Sequence, residues 1–243
     1  MVSKLARRLS GGRHIIHQFS NAMAFIDADD LWTPDKLELQ LAALQQHPEA
    51  GIAYSWNYFY YEQTGKRIPG HIADFEGDVY APLLQENFIA NGSNPLIRRQ
   101  AIDQIGGFDP TFPHCADWDF YLRLAAQWQF VRVPKHQVLY RQSSHSMSST
   151  KVTEIEQQCL AMLAKTYQLA PAKYQALKPK SLSWIYEYCT QQYLQSSDDL
   201  AGVQTATRKF WKAVRFRPQV LLEGYGQSLM RWLIKRWLLV LMP

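Results

Sequence analysis

The sequence predicts a chain in two parts, an α/β layer structure up to about residue 150 and an all-helical region after it. In the first part short apolar runs alternate with helical patterns, which is typical of a sheet covered by helices. A polar linker over residues 143–150 then precedes a stretch whose apolar residues recur with helical spacing. We therefore predict an atypical basic N-terminal segment over residues 1–20, an α/β portion over residues 21–150 and a helical tail over residues 151–243.

Local signals predict the first elements of the α/β portion. An apolar run at residues 23–26, ending in Asp27, is typical of a buried strand. Thr33-Pro34 predicts the start of a helix, because Thr caps helices well and Pro suits the first helical position. The stretch 51–61, rich in Tyr and Trp, predicts a second strand, whereas the Gly and Pro residues in 62–94 predict irregular structure.

The later elements follow from the same signals. We predict a short strand at 95–98, a helix at 99–105 and a further helix that begins near Asp117. Two short strands at 130–133 and 138–141 are predicted on either side of Pro134. Helices of the tail are predicted at 155–169, 182–194, 198–216 and 220–241. Its large apolar residues, Trp184, Tyr188, Phe210, Trp211 and Val214, are predicted to form a core.

Composition excludes several classes of protein. Hydrophobic residues make up 47% of the chain and charged residues 19%, which excludes a disordered protein. No run of eighteen apolar residues occurs, so a transmembrane helix is not predicted. The three cysteines form no Cys-x-x-Cys pair, which excludes a disulfide scaffold and a cysteine zinc site and indicates a reducing compartment such as the cytoplasm.

The net charge of +5 is unevenly distributed along the chain. Residues 1–20 carry +4 and residues 201–243 carry +7, whereas the 180 residues between them carry −6. A nucleic-acid binder usually spreads Lys and Arg over its reading surface, so nucleic acid is not predicted as a partner. The acidic middle suits a site for a cation.

Three carboxylates in four positions follow the first strand: Asp27, Asp29 and Asp30. They would repel each other in a partly dry site unless a divalent cation lay among their oxygens. Hard oxygen ligands favour Mg²⁺ or Mn²⁺ and hence a phosphate-bearing substrate. The alternative is a solvated turn that also caps the next helix.

A second signal lies at Gly106-Gly107 and the following residues 115–125. The two glycines permit a tight reversal, and Asp117 stands where a helix begins, beside Trp118. A carboxylate in an aromatic-walled cleft can act as a general base for an alcohol. The alternative is that Asp117 merely caps the helix, with Asp119 in its first turn.

Together these segments resemble a bacterial family-2 glycosyltransferase with the GT-A fold. The resemblance covers about residues 20–150 and rests on FIDADDLWTPDKL at 25–37, NPLIRR at 94–99, GGFD at 106–109, ADWD at 116–119 and LRLA at 122–125. It implies transfer of a sugar from a nucleotide-activated donor to an acceptor hydroxyl, with inversion at the anomeric carbon. The acceptor is expected to be a glycan or a lipid-linked molecule used in cell-surface glycan synthesis.

The resemblance also implies roles for individual residues. Asp27 and Asp29 fall on the DxD motif, which binds the donor ribose and the metal on the diphosphate. Asp117 falls on the acidic motif that supplies the base, although Ala116 replaces the usual Glu before it. The substrate-binding candidates are Asp27, Gly107, Trp118, which could stack on a sugar ring or pack in the core, and Arg141 and His145, which could close over the diphosphate.

Residues 1–20 lack the Pro-x-Tyr-Asn-like and Asp-Asp-Gly-Ser-like turns that hold the nucleotide base in this family. We therefore expect an incomplete GT-A (Rossmann-like) sheet from a truncated chain, in which the strand at 23–26 has an exposed edge. Such a chain would be a poor enzyme, so the alternative is a non-catalytic binding or membrane-associated module that retains part of the fold.

Two further expectations concern a rival family and a partner. A haloacid-dehalogenase-like phosphatase also opens on Asp-x-Asp after a strand, but that motif prefers Thr or Val where this chain has Leu31, and no later Gly-Asp-x-x-x-Asp occurs. The segment RWLIKRW at 231–237 predicts a basic aromatic face that could contact the inner face of a membrane. Packing of Trp232 and Leu233 onto the domain is the alternative.

Overall fold

The computed structural model describes residues 14–18, as backbone alone, 21–142 and 150–242. They divide into two compact units. The first contains the described residues up to Leu83 together with residues 87–142, and the second contains residues 84–86 together with those from 150 onward.

A mixed sheet forms the first unit. Its strands, among the described residues, are β1 His14–Gln18, β2 Ala22–Asp27, β3 Leu31–Trp32, β4 Ala50–Tyr61, β5 Lys66–Pro69, β6 Leu96–Arg98 and β7 Gln129–Arg141. Their order is β1-β2-β6-β4-β7-β3, and β5 pairs with β4. β4 and β7 run parallel, and the other described pairs are antiparallel. The predicted α/β class is confirmed.

Four helices accompany the sheet: α1 Lys36–Gln46, α2 Tyr80–Gln85, α3 Arg99–Ile105 and α4 Ala116–Ala125. Leu44 of α1 is buried in a cluster with small and branched residues of β2, β4, β6 and β7, and Leu37 and Leu41 pack against it. The helix therefore covers the sheet with its apolar stripe, as its spacing predicted. α3 ends at Gly106, whose φ of +79° favours glycine.

Two stretches differ from the sequence predictions. Residues 62–94 are not wholly irregular, because Gly65, at φ +66°, permits a turn that pairs β5 with β4, and because α2 follows. The predicted strands around Pro134 are one strand, β7. Its register with β4 shifts between the Tyr54–Arg132 and Trp56–His136 pairs, so Pro134 lies in an irregularity where no ladder hydrogen bond is required of it.

We expected the strand at 23–26 to have an exposed edge, but β2 is paired on both sides. β1 pairs antiparallel with β2 from His14 opposite Asp27 to Gln18 opposite Met23, and β6 pairs with the other side. The strand at residues 14–18 was not predicted, although Ile15 and Ile16 are β-branched residues that favour a strand.

The second unit is helical, and its four long helices agree with those predicted. They are α5 Val152–Leu169, α6 Lys178–Ser196, α7 Leu200–Phe216 and α8 Gly224–Leu241, with short 3-10 helices at Ala172–Leu177 and Pro218–Leu222. A core cluster contains Leu194, Ala206, Phe210, Val220, Leu229 and Leu233. Trp211, predicted to be core, is 56% exposed because it lies on the outer side of α7. No described helix is both long and apolar enough to cross a membrane.

Candidate active site

Three segments of the first unit meet at the end of β2. The backbone nitrogen of Asp27 donates to Ser93 Oγ at 2.9 Å, and Ser93 Oγ donates to an Asp30 carboxylate oxygen at 2.6 Å. The other Asp30 oxygen accepts a hydrogen bond from the backbone nitrogen of Arg141 at 3.0 Å. The acidic loop 27–30, the segment before β6 and the end of β7 are thus tied together.

Asp30 is the interior member of the acidic cluster. It is only 4% exposed, and burial, opposed by its two hydrogen bonds, raises its pKa to about 7. The negative charges of Asp27 and Asp29 raise that pKa further. Since each oxygen of Asp30 accepts a hydrogen bond from the protein, this carboxylate fixes the loop.

Asp29 and Arg141 lie at the outer side of the same loop. The Asp29 side chain is exposed, and its carbonyl accepts a hydrogen bond from Arg141 Nε at 2.6 Å. The guanidinium of Arg141 also pairs with Glu62, which raises the pKa of Arg141. The structure therefore brings Arg141 to the predicted DxD loop, although 112 residues separate it from Asp29.

Asp117 lies in the first turn of α4 and is half-buried. It accepts hydrogen bonds from the Trp118 backbone nitrogen at 2.8 Å and from Asn87 Nδ2 at 3.2 Å. Burial raises the pKa of Asp117 to about 6 against these two bonds, and the charge of Asp27 adds to the increase. The charge of Asp27 at the end of β2 therefore acts on the carboxyl of Asp117.

The segment 87–93 supplies site residues that the sequence reasoning missed. Tyr121 of α4 donates its hydroxyl hydrogen to the Asn91 carbonyl at 3.0 Å. A side chain at Gly92 would place its Cβ 4.0 Å from an Asp27 carboxylate oxygen. The Asn91 amide is 4% exposed and has no hydrogen-bond partner at either atom. The sequence feature that could have indicated these residues is Asn91-Gly92-Ser93, a polar turn shortly before the predicted strand at 95–98.

A buried polar network joins α1 to the same segment. Lys36 is fully buried, and its Nζ donates to Gln40 Oε1 at 3.0 Å and lies 4.0 Å from the centre of the Trp32 ring. Gln40 Nε2 donates to the Asn94 carbonyl at 3.0 Å, and Trp32 Nε1 donates to the Ser93 carbonyl at 2.8 Å. Burial lowers the pKa of Lys36 to about 7.

Two other predicted substrate-binding residues, Trp118 and Gly107, have structural roles outside this site, and a third cannot be placed. Trp118 is 2% exposed and its Nε1 donates to the Leu83 carbonyl at 2.8 Å, so it packs in the core and presents no face to a sugar. The Gly107 carbonyl accepts a hydrogen bond from Arg123 Nη2 at 2.9 Å, which makes its turn part of the support for α4. His145 lies outside the described residues.

The acidic loop 27–30 could supply only part of the ligands of a bound cation, with water and substrate phosphates supplying the rest. Within residues 21–142 and 150–242, no group of three His, Cys, Asp or Glu side chains could hold a metal ion. Asp27 and Asp29 offer hard carboxylate oxygens, whereas Asp30 is engaged by Ser93 and Arg141. Mg²⁺ and Mn²⁺ fit such a donor set, because Mg²⁺ is usually held by one or two carboxylates together with water and substrate phosphates.

Comparison with known proteins identifies the family. The model of the glycosyltransferase-like family 2 matches residues 6–195, well over half of the chain. The chain belongs to this family. A curated relative, the uncharacterized glycosyltransferase YwdF of Bacillus subtilis strain 168, is 31% identical over 124 residues. The match spans 47% of this chain and 42% of that relative, so the chain covers less than half of the relative's length.

Membership of the glycosyltransferase-like family 2 confirms the predicted resemblance and widens it. The motifs that carried the prediction lie between residues 25 and 125, whereas the family match begins at residue 6 and ends within α6. It therefore takes in β1 and the first half of the helical region.

Proposed function

We propose that the protein is an inverting glycosyltransferase, which moves a sugar from a nucleotide-diphosphate donor to the hydroxyl of a glycan or lipid-linked acceptor in cell-surface glycan synthesis. The observation that carries this proposal is the pairing of two kinds of carboxylate. Asp117 is half-buried with a pKa of about 6, to which the charge of Asp27 contributes, and Asp27 and Asp29 lie at and just after the end of β2.

Asp117 suits the role of general base. A base works best when its pKa lies close to the working pH, and burial brings this carboxyl to about 6. Asn87 Nδ2 and the Trp118 nitrogen hold the carboxylate in one orientation. The neighbouring Ala116 has no acidic side chain, so the base function rests on Asp117 alone in this motif.

Asp27 and Asp29 suit the binding of the donor diphosphate through Mg²⁺ or Mn²⁺. When bound, such a cation would offset the charge that develops on the diphosphate leaving group. The side chains that would hold it are Asp29, which is exposed, and Asp27, which is half-buried. Ser93 and Arg141 keep the loop that carries both acids fixed through Asp30.

The proposed reaction is a single displacement. The acceptor oxygen forms a bond to the anomeric carbon from the face opposite the leaving group, and the bond from that carbon to the diphosphate oxygen breaks. The nucleoside diphosphate leaves with the electron pair of that bond. Asp117 takes the proton of the acceptor hydroxyl, and the configuration at the anomeric carbon is inverted.

Incubation with a panel of nucleotide-diphosphate sugars and Mn²⁺ tests the proposal. Release of nucleoside diphosphate shows that the chain cleaves a donor, and the configuration of the transferred or hydrolysed sugar, followed by NMR at early times, shows inversion or retention. Asp103→Asn, a change at an exposed acid on α3, serves as a matched control for changes at the site.

The second candidate function is a non-catalytic module that binds the donor without cleaving it. One observation favours it. The guanidinium of Arg141, which was expected to contact the diphosphate, is already bonded to Glu62 and to the Asp29 carbonyl. Mn²⁺-dependent nucleotide binding without any nucleoside diphosphate release, across the whole donor panel, would favour this candidate over the enzyme.

A further inference from the structure

The last helix, α8, has one buried side and one apolar exposed side. Gly226, Leu229 and Leu233 are buried and lie against the core of the second unit. Large apolar side chains near the end of α8, including that of Met242 directly after it, are 54–72% exposed: Ile234, Leu238, Leu239, Leu241 and Met242. Exposed apolar residues concentrated at one end of a helix are typical of an interaction surface.

The residues of this surface differ from those that the sequence predicted. Trp237 Nε1 donates to Thr207 Oγ1 at 2.9 Å, and Trp232 packs against the core cluster. Arg236 pairs with Asp198 and donates to the Leu194 carbonyl at 2.8 Å. The tryptophans and Arg236 therefore hold α8 on the bundle, and the aliphatic residues of its last two turns face outward.

Two basic residues accompany the aliphatic surface. Arg231 and Lys235 are exposed and lie one turn apart on the same side as Ile234 and Leu238. Neither is in a described ion pair, and α8 contains no acidic residue. The exposed side of α8 is thus cationic toward its centre and apolar toward its end.

The charge of the neighbouring helix has the same sign. Of the eight basic residues in 201–243, Lys209, Arg217 and Arg236 pair with carboxylates. On α7, Arg208, Lys212 and Arg215 are exposed around Trp211. A second copy of this chain would bring like charges together at such a face, whereas an anionic surface would meet charges of opposite sign.

We propose that α8 lies on an anionic phospholipid surface and holds the protein there as a peripheral membrane protein. Ile234, Leu238, Leu239, Leu241 and Met242 enter the boundary between headgroups and acyl chains, and Arg231 and Lys235 contact the lipid phosphates. This inference is independent of the chemistry proposed for Asp117. The proposed partner is a lipid, and the surface that binds it belongs to the second unit.

Vesicle sedimentation tests the inference with the full chain. We expect binding to vesicles of phosphatidylcholine and phosphatidylglycerol, weaker binding to pure phosphatidylcholine, and a decrease with added salt. The double variant Leu238→Ser/Leu241→Ser and the double variant Arg231→Gln/Lys235→Gln should each lower the affinity for anionic vesicles at least about tenfold. Because all four side chains are exposed, circular dichroism should show unchanged folding.

The matched control is Leu169→Ser/Leu222→Ser, which removes two leucines of the second unit that lie outside α8 and are more exposed than Leu238 and Leu241. It should bind anionic vesicles like the unaltered chain. Equal binding by the α8 variants and the control, or no vesicle binding at all, would overturn the inference. So would concentration-dependent self-association that the α8 changes abolish, because the occupant would then be a second copy.

Discussion

The Ser93 hydroxyl donates a 2.6 Å hydrogen bond to Asp30 and accepts one at 2.9 Å from the backbone nitrogen of Asp27. One side chain thus bonds two members of the acidic cluster across 63 and 66 residues of sequence. It determines how the loop that follows β2 is oriented toward the segment before β6. The position of Asp27 and Asp29 therefore depends on a serine that belongs to neither acidic motif.

Ser93→Ala should weaken both stability and nucleotide binding. It removes both hydrogen bonds and leaves a buried carboxylate short of a donor, a loss of about 1–3 kcal/mol in the free energy of unfolding. Denaturant unfolding and calorimetry with Mn²⁺ and nucleotide measure the two effects. Ser55→Ala, at another buried serine, should lower stability without changing nucleotide affinity. Equal nucleotide affinities in the two variants would contradict the positioning role of Ser93.

Asp29→Asn should abolish Mn²⁺-dependent nucleotide binding. Its carboxylate is exposed and its removal leaves the hydrogen bonds of Asp30 in place, so the fold should be unaffected. Calorimetric titration of nucleotide with and without Mn²⁺ gives the affinity, with Asp103→Asn as the control. An unchanged affinity in Asp29→Asn would contradict the assignment of Asp29 to the cation.

Asp117→Asn should reduce sugar transfer at least about a hundredfold while donor binding persists, because an amide cannot take the acceptor proton. In the unaltered protein, kcat/KM should fall about tenfold for each pH unit below 6, since the pKa of about 6 makes Asp117 protonated there. Initial rates between pH 4.5 and 8 measure this. Transfer that survives in a folded Asp117→Asn variant would mean that the residue only caps α4.

Lys36→Met should remove a pH dependence of stability above neutral pH. The pKa of Lys36 is about 7 in the folded state, whereas the ordinary pKa of a lysine is 10.5, so between these limits the unfolded chain binds the extra proton. The free energy of unfolding then rises by roughly 1.4 kcal/mol per pH unit from pH 7 towards pH 10. Denaturant titrations at pH 7, 8 and 9 should show this slope in the difference between the unaltered protein and the variant. Parallel curves would show that the amine titrates normally.

Asn91→Leu should raise the free energy of unfolding of the free protein by about 1 kcal/mol. The buried amide has no hydrogen-bond partner, so its removal breaks no hydrogen bond. Urea unfolding measures the difference. Asn94→Leu is the contrasting change, since the Asn94 amide bonds the Ser55 and Ile89 carbonyls and its loss should be clearly destabilising. A comparable loss in Asn91→Leu would show that its amide is bonded in solution.

The sequence predicted those parts of the fold and site that depend on local pattern. The strand before Asp27, the helix after Pro34 and the helix at Asp117 have clear apolar spacing and end signals, and the structure contains all three. The structural role of Asp30 and the contributions of Asn87 and Ser93 were not predicted, because they arise from contacts across 30 to 111 residues, which no local pattern contains. The sequence left open whether Trp118 stacks on a sugar or packs in the core, because the neighbourhood of an indole, not its type, decides which it faces; the structure places it in the core.

The bond between Asp30 and the backbone of Arg141 has a consequence for folding. The two residues are 111 positions apart, and all strands of the first unit from β3 onward begin between them. The acidic loop cannot reach its final orientation until β7 has paired with β4. Closing so long a segment costs conformational entropy before the stabilising contacts can form. During synthesis the chain must therefore extend past residue 141 before the site closes. We expect nucleotide-binding competence to appear among the last events in folding, after the hairpin of β4 and β5 has formed.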